Sequence, residues 1–152
     1  MKPARLLLAA AFAVTACDRV PPGENARADP RDGAKVALGA KVYVGHCAAC
    51  HGAKLEGQPD WRIRLPNGRL PAPPHDESGH TWHHTDEVLF AITKNGLVPP
   101  YAPPKYDSDM LAFGGMLSED EIWAVLAYIK SHWTSAELLA ARAEMIRNME
   151  KR

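Results

Sequence analysis

Apolar residues return at helical spacing in four stretches of the chain, and polar, proline-bearing segments separate them. From about Gly33 to Cys47, the residues Val36, Gly39, Ala40 and Tyr43 share a face, and Asp32 stands where a helix is capped. Residues 85–96, TDEVLFAITKNG, predict a second helix. Thr85 caps it, Asp86 and Glu87 occupy its first turn, Val88, Leu89 and Ile92 form the stripe, and Lys94, Asn95 and Gly96 end it. A third starts at Ser118, which with Glu121 has the spacing of a capping box, while Leu117 and Ile122 have that of a hydrophobic staple. Its apolar face is Val125, Leu126, Tyr128 and Ile129. A fourth, capped by Ser135, carries Leu138, Leu139, Met145, Ile146 and Met149 at helical intervals, and is expected to pack on its own domain. No useful run alternates with the two-residue period of a strand, so the fold class is all-α.

The segments between helices are long. Residues 52–84 lack a period and contain LPNGRLPAPPHDESGHTWHH; residues 97–116, LVPPYAPPKYDSDMLAFGGM, form a second loop bounded by prolines, partly polyproline II. A loop of that length inside a compact domain normally wraps around something.

Composition narrows the classes. With 152 residues there is room for one modest domain and tails. Eighteen basic and 18 acidic residues balance, which argues against a nucleic-acid surface. Aromatics are only 7% of the chain against 13 prolines, the profile of a small domain that leans on a cofactor or metal to complete its interior.

The first seventeen residues, MKPARLLLAAAFAVTAC, have a basic start and an apolar run from Leu6 to Val14, too short to span a bilayer and built like an export signal. The run closes on Val14-Thr15-Ala16-Cys17, which resembles the lipobox of bacterial lipoproteins. That resemblance implies a signal peptide over 1–16, cleavage before Cys17, acylation of its sulfur, and a lipid-anchored place on the periplasmic side of the cell envelope. Residues 17–32 then read as a flexible tether between lipid and domain.

With Cys17 so assigned, Cys47 and Cys50 remain, in GHCAACHG at 45–52. A closed zinc site wants four ligands and here there is one pair. A thioredoxin-type redox pair should follow a strand, whereas a helix precedes Cys47. C-x-x-C-H is the attachment signature of c-type haem, with Cys47 and Cys50 as thioethers and His51 as the proximal iron ligand. One covalent haem c is the expected cofactor.

From about residue 33 to 133 the chain resembles the class I monohaem cytochromes c. Gly39, eight residues before Cys47, and Tyr43, four later, stand where that family crosses its first helix over its last; Val125 and Tyr128 match the facing pair. The family's M-P-A-F-G-x-x-L-S line corresponds to Met110-Leu111-Ala112-Phe113-Gly114-Gly115-Met116-Leu117-Ser118, with Leu111 in place of the proline. The resemblance makes Met110 the second iron ligand, although from the residues alone Met116 also reaches the iron. It implies a proline carbonyl accepting from His51, with Pro71 and Pro73 both candidates. It also suggests Trp61 or Trp82 as donors to a haem propionate, core packing being the equal alternative.

His75, His80, His83 and His84 crowd into HDESGHTWHH, similar to a histidine-rich insertion in a subgroup of bacterial monohaem cytochromes. They cap turns and bond propionates, or form a copper or zinc site, or one of them replaces Met110. With both axial places filled the resemblance implies an electron carrier rather than an enzyme, passing electrons to a redox partner at the membrane. Two alternatives stand beside it: a haem subunit of one fixed oxidoreductase, and a metal-handling lipoprotein built on the His75–His84 cluster. The expected domain is 33–133, followed by a helical extension over 134–152.

Overall fold

The computed structural model describes residues 24–149 and 151; the expected export signal and Cys17 lie outside them. Five helices occur among the described residues: α1 (Gly33–His46), α2 (Ala48–His51), α3 (Asp86–Asn95), α4 (Glu119–Lys130) and α5 (Ala136–Met149). Short 3-10 turns form at Ala26–Ala28, Thr81–His83 and Phe113–Gly115, and the described residues hold no strand.

The helix ends follow local chemistry. Asp32 accepts from the Ala34 and Lys35 amides at the start of α1, and Thr85 from the Val88 amide at the start of α3. At α4, Ser118 accepts from the Glu121 amide while the Glu121 carboxylate accepts from Ser118 N–H at 2.8 Å, a complete capping box. Ser135 caps α5 through the Leu138 amide at 3.2 Å.

Packing centres on the crossing of α1 and α4. A Cβ built on Gly39 would lie 2.0 Å from the Ala124 carbonyl oxygen and 2.8 Å from Tyr128 Cβ, so only glycine admits this approach. Tyr43 and Tyr128 meet there, as the sequence led us to expect. Ala124, rather than Val125, is what presses on Gly39, and Val125 lies in the core at 1% exposure. Ile122, Leu126 and Ile129 continue the buried face of α4, and Trp133, just past its end, joins the same core. Each large side chain so enclosed contributes roughly 1.5–3 kcal/mol.

One expectation needs correction. Residues 24–32 do not behave as tether: Ala28 is fully buried in the core, and the turn it belongs to packs against α4. The reason is a buried ionic knot. Lys130 Nζ on α4 donates to Glu24 and to Asp86 Oδ2, the latter at 2.6 Å. Arg142 on α5 reaches Glu24 Oε1 at 2.7 Å and Asp86 Oδ1 at 3.0 Å. Burial alone would raise the Glu24 pKa, but Lys130 and Arg142 overcome it and hold the carboxyl below its ordinary value. Burial pushes Asp86 up, against the pull of Lys130. The Asn25 amide adds a bond to Asp86 Oδ2 at 2.7 Å. The helical extension packs on the domain: Arg142 also donates to the Trp82 and His84 carbonyls and lies over the Trp133 ring.

Candidate functional site

The last turn of α1 feeds directly into α2. Cys47 N–H donates to Tyr43 O at 2.9 Å, and His51 N–H to Cys47 O at 2.9 Å, so both thiols and the imidazole are set on one short helical stretch. Cys47 and Cys50 are free thiols, the first half-buried and the second exposed. Burial, with Cys50 beside it, pushes the Cys47 thiol up to about 11, so it stays protonated at neutral pH.

His51 is only 8% exposed and its Nδ1 lies 2.8 Å from the Pro73 carbonyl oxygen. A carbonyl only accepts, so Nδ1 carries the proton and Nε2 keeps its lone pair. Burial lowers the His51 pKa, the Pro73 bond opposing it, and the neutral ring is the form that ligates a metal. Of the two candidate prolines, Pro73 makes the contact. Its position follows from backbone pairing: Gly57 N–H donates to His51 O at 2.7 Å and Gln58 N–H to Ala72 O at 2.9 Å. Gly57, at φ +70°, would place a Cβ 2.4 Å from Pro74 N, and Gly79 one 2.1 Å from Pro74 O, so two glycines grip the segment from both sides. Tyr43 ties α1 to the same turn by donating to Gly52 O at 2.8 Å.

The two methionines differ in surroundings. Met110 is half-buried, its amide donating to Ser108 Oγ at 3.1 Å, whereas Met116 is 54% exposed. Arg69 fastens the Met110 loop to the loop after α2: its Nε meets Asp107 Oδ2 at 2.9 Å and its Nη1 meets Asp109.

The residues present fit a covalent haem. Two free thiols and a neutral imidazole with an unspent Nε2 occupy one helical stretch, and the half-buried Met110 lies on the second long loop. Among the described residues the buried Nε1–H groups of Trp82 and Trp123 have no acceptor, a cost of about 1–3 kcal/mol that a haem carboxylate at Trp82 would relieve. Trp61 instead stacks on His80 at 5.5 Å, with the Arg62 guanidinium 3.9 Å from its ring centroid.

Of the four clustered histidines, one is drawn away and three stay together. His75 lies on His51, while His80, stacked on Trp61, has His84 at 5.4 Å and His83 at 6.3 Å, and His83 lies against Trp82; among the described residues no group of three or more histidine, cysteine or acidic side chains could hold a metal ion. The sequence reading missed the Arg69 clasp, the ionic knot and the stacking of His75. Arg142 did leave a signal, since it interrupts the apolar stripe midway between Leu138 and Ile146.

A family model for cytochrome c matches residues 36–133, well over half of the chain. No curated protein and no solved structure matches it. The chain belongs to the cytochrome c family, and its cofactor is covalent haem c bound through the C-x-x-C-H stretch that holds Cys47 and Cys50.

Proposed function

We propose that the protein carries single electrons on one haem c, attached through Cys47 and Cys50 and ligated by His51 and Met110. The bond from His51 Nδ1 to Pro73 O carries this reading, because it commits one ring nitrogen and leaves the other as a donor. The haem supplies a one-electron couple, and a thioether opposite an imidazole raises its potential. The chain's own residues do the rest. Pro73 sets the tautomer and direction of His51. Arg69 ties the Met110 loop down. With His51 and Met110 both holding the iron, no position would be left for a substrate, which suits a carrier rather than an enzyme.

The export signal and the lipobox-like Val14-Thr15-Ala16-Cys17 support a lipid-anchored place on the periplasmic face of a bacterial membrane, with a redox protein as partner. Contacts of that kind are small and transient.

Absorption spectra of the purified protein test both ligands. A thioether-linked haem with sharp reduced bands and a weak oxidised band at the red edge is the expected result; covalent haem without that band would remove Met110. Cys17→Ser should move the protein from the membrane to the soluble fraction, and unchanged fractionation would end the lipid-anchor reading.

A further inference from the structure

The His75 ring lies flat on His51, centroids 3.9 Å apart and planes 21° from parallel. It is held there from several directions. Its Nδ1 is 2.8 Å from Thr81 Oγ1, and the Thr81 hydroxyl donates to Pro74 O at 3.4 Å, leaving its oxygen to accept from His75. The His75 amide donates to Leu55 O at 2.8 Å, and its carbonyl accepts from Trp133 Nε1 at 3.0 Å. Tyr43 meets the ring edge-on at 6.5 Å.

One hydrogen bond does not orient a ring. The bond to Pro73 fixes where His51 Nδ1 points, yet carbonyl oxygens accept over a broad range of directions, so rotation of the imidazole about that bond stays soft. A flat neighbour on the ring face stops that rotation. An aliphatic side chain would fill the same volume without defining a plane, and it would offer nothing for Thr81 to hold.

We propose that His75 is a positioning residue: braced by Thr81, it sets the plane in which the His51 imidazole meets the haem iron. This rests on the reading of His51 as the iron's imidazole ligand.

The test uses the haem-loaded protein as wild type, His75→Leu, His75→Phe and Thr81→Val. In low-spin ferric haem the plane of an axial imidazole governs the order and spread of the haem-methyl proton resonances, which simple loss of stability does not change. His75→Leu and Thr81→Val should both reorder those resonances, with the red-edge absorption band retained. His75→Phe, which keeps a flat ring, should lie closer to wild type than His75→Leu does. Wild-type resonance patterns in His75→Leu and Thr81→Val would overturn the proposal while leaving His51 as ligand. Should His75→Leu fail to accumulate, an unchanged pattern in Thr81→Val alone overturns it. A wild-type protein without an imidazole-ligated low-spin spectrum would overturn the ligand assignment and this proposal together.

Discussion

Tyr43 and Tyr128 meet with ring centroids 5.3 Å apart and planes tilted by 46°, one turn along from the place where Gly39 lets α1 rest on the Ala124 carbonyl. The two contacts depend on each other, because any side chain at 39 would drive the helices apart and separate the rings. Gly39→Ala should therefore lower stability by at least about 2 kcal/mol, from overpacking against backbone that cannot yield. A thermal melt should show the midpoint falling by roughly 8 °C. A midpoint within a degree of wild type would mean that the crossing tolerates a Cβ.

Met110 and Met116 are distinguished by exposure, and their variants should differ accordingly. Met110→Ala is expected to abolish the red-edge band of the oxidised protein, lower the reduction potential and admit cyanide or carbon monoxide. Met116→Ala should leave all three unchanged. The reverse pattern would transfer the ligand role to Met116.

Arg69 connects the loop that carries Pro73 to the loop that carries Met110, through Asp107 and Asp109. Half-exposed ion pairs of this kind are screened by salt. Arg69→Ala should loosen the Met110 loop and raise the affinity for added cyanide severalfold at low ionic strength, with wild type approaching the variant as salt is added. Equal cyanide binding at all salt concentrations would show that the clasp does not restrain Met110.

Glu77 receives the Ser135 amide at 2.8 Å and the Thr134 amide beside it, joining the His75 loop to the entry of α5. These bonds, that from Ser135 first, hold its pKa below the ordinary glutamate value. Because the folded-state pKa is the lower one, the stabilisation is present above the unfolded value and disappears as pH falls through the folded value. Glu77→Gln should lower the melting temperature at neutral pH, and the gap should close in acid. Melts over a pH series would show this; a gap independent of pH would rule out an ionised Glu77 as its origin.

Local rules made α3 and α4 legible in the sequence: Thr85, Ser118 and Glu121 act on amides within their own first turns, and periodicity marks the buried faces. The α1–α4 crossing needed the family resemblance, since nothing local in Gly39 names Ala124 as its neighbour. The attachment stretch was legible because its residues are adjacent. The His75 loop was not, because pairing such as Gln58 to Ala72 sets its path, and no period records that. The 24–32 segment was misread for a related reason. Beside its local turns and caps, two of its polar residues find partners across the fold, Asn25 on Asp86 and Glu24 on Lys130 and Arg142.

That last arrangement moves the edge of the folding unit. Two cations and two carboxylates cancel in a nearly water-free site, but only while residue 24 is part of the chain. A protein cut back to Gly33 keeps every residue of α1 to α5 and loses one of the two anions, together with the Ala26–Ala28 turn and the Asp32 cap. It buries an uncompensated positive charge between α4 and α5, at about 3–5 kcal/mol. That is a large share of the 5–15 kcal/mol or so by which a domain holds together at all. The stretch that looked like slack in the line is the counter-ion of the core.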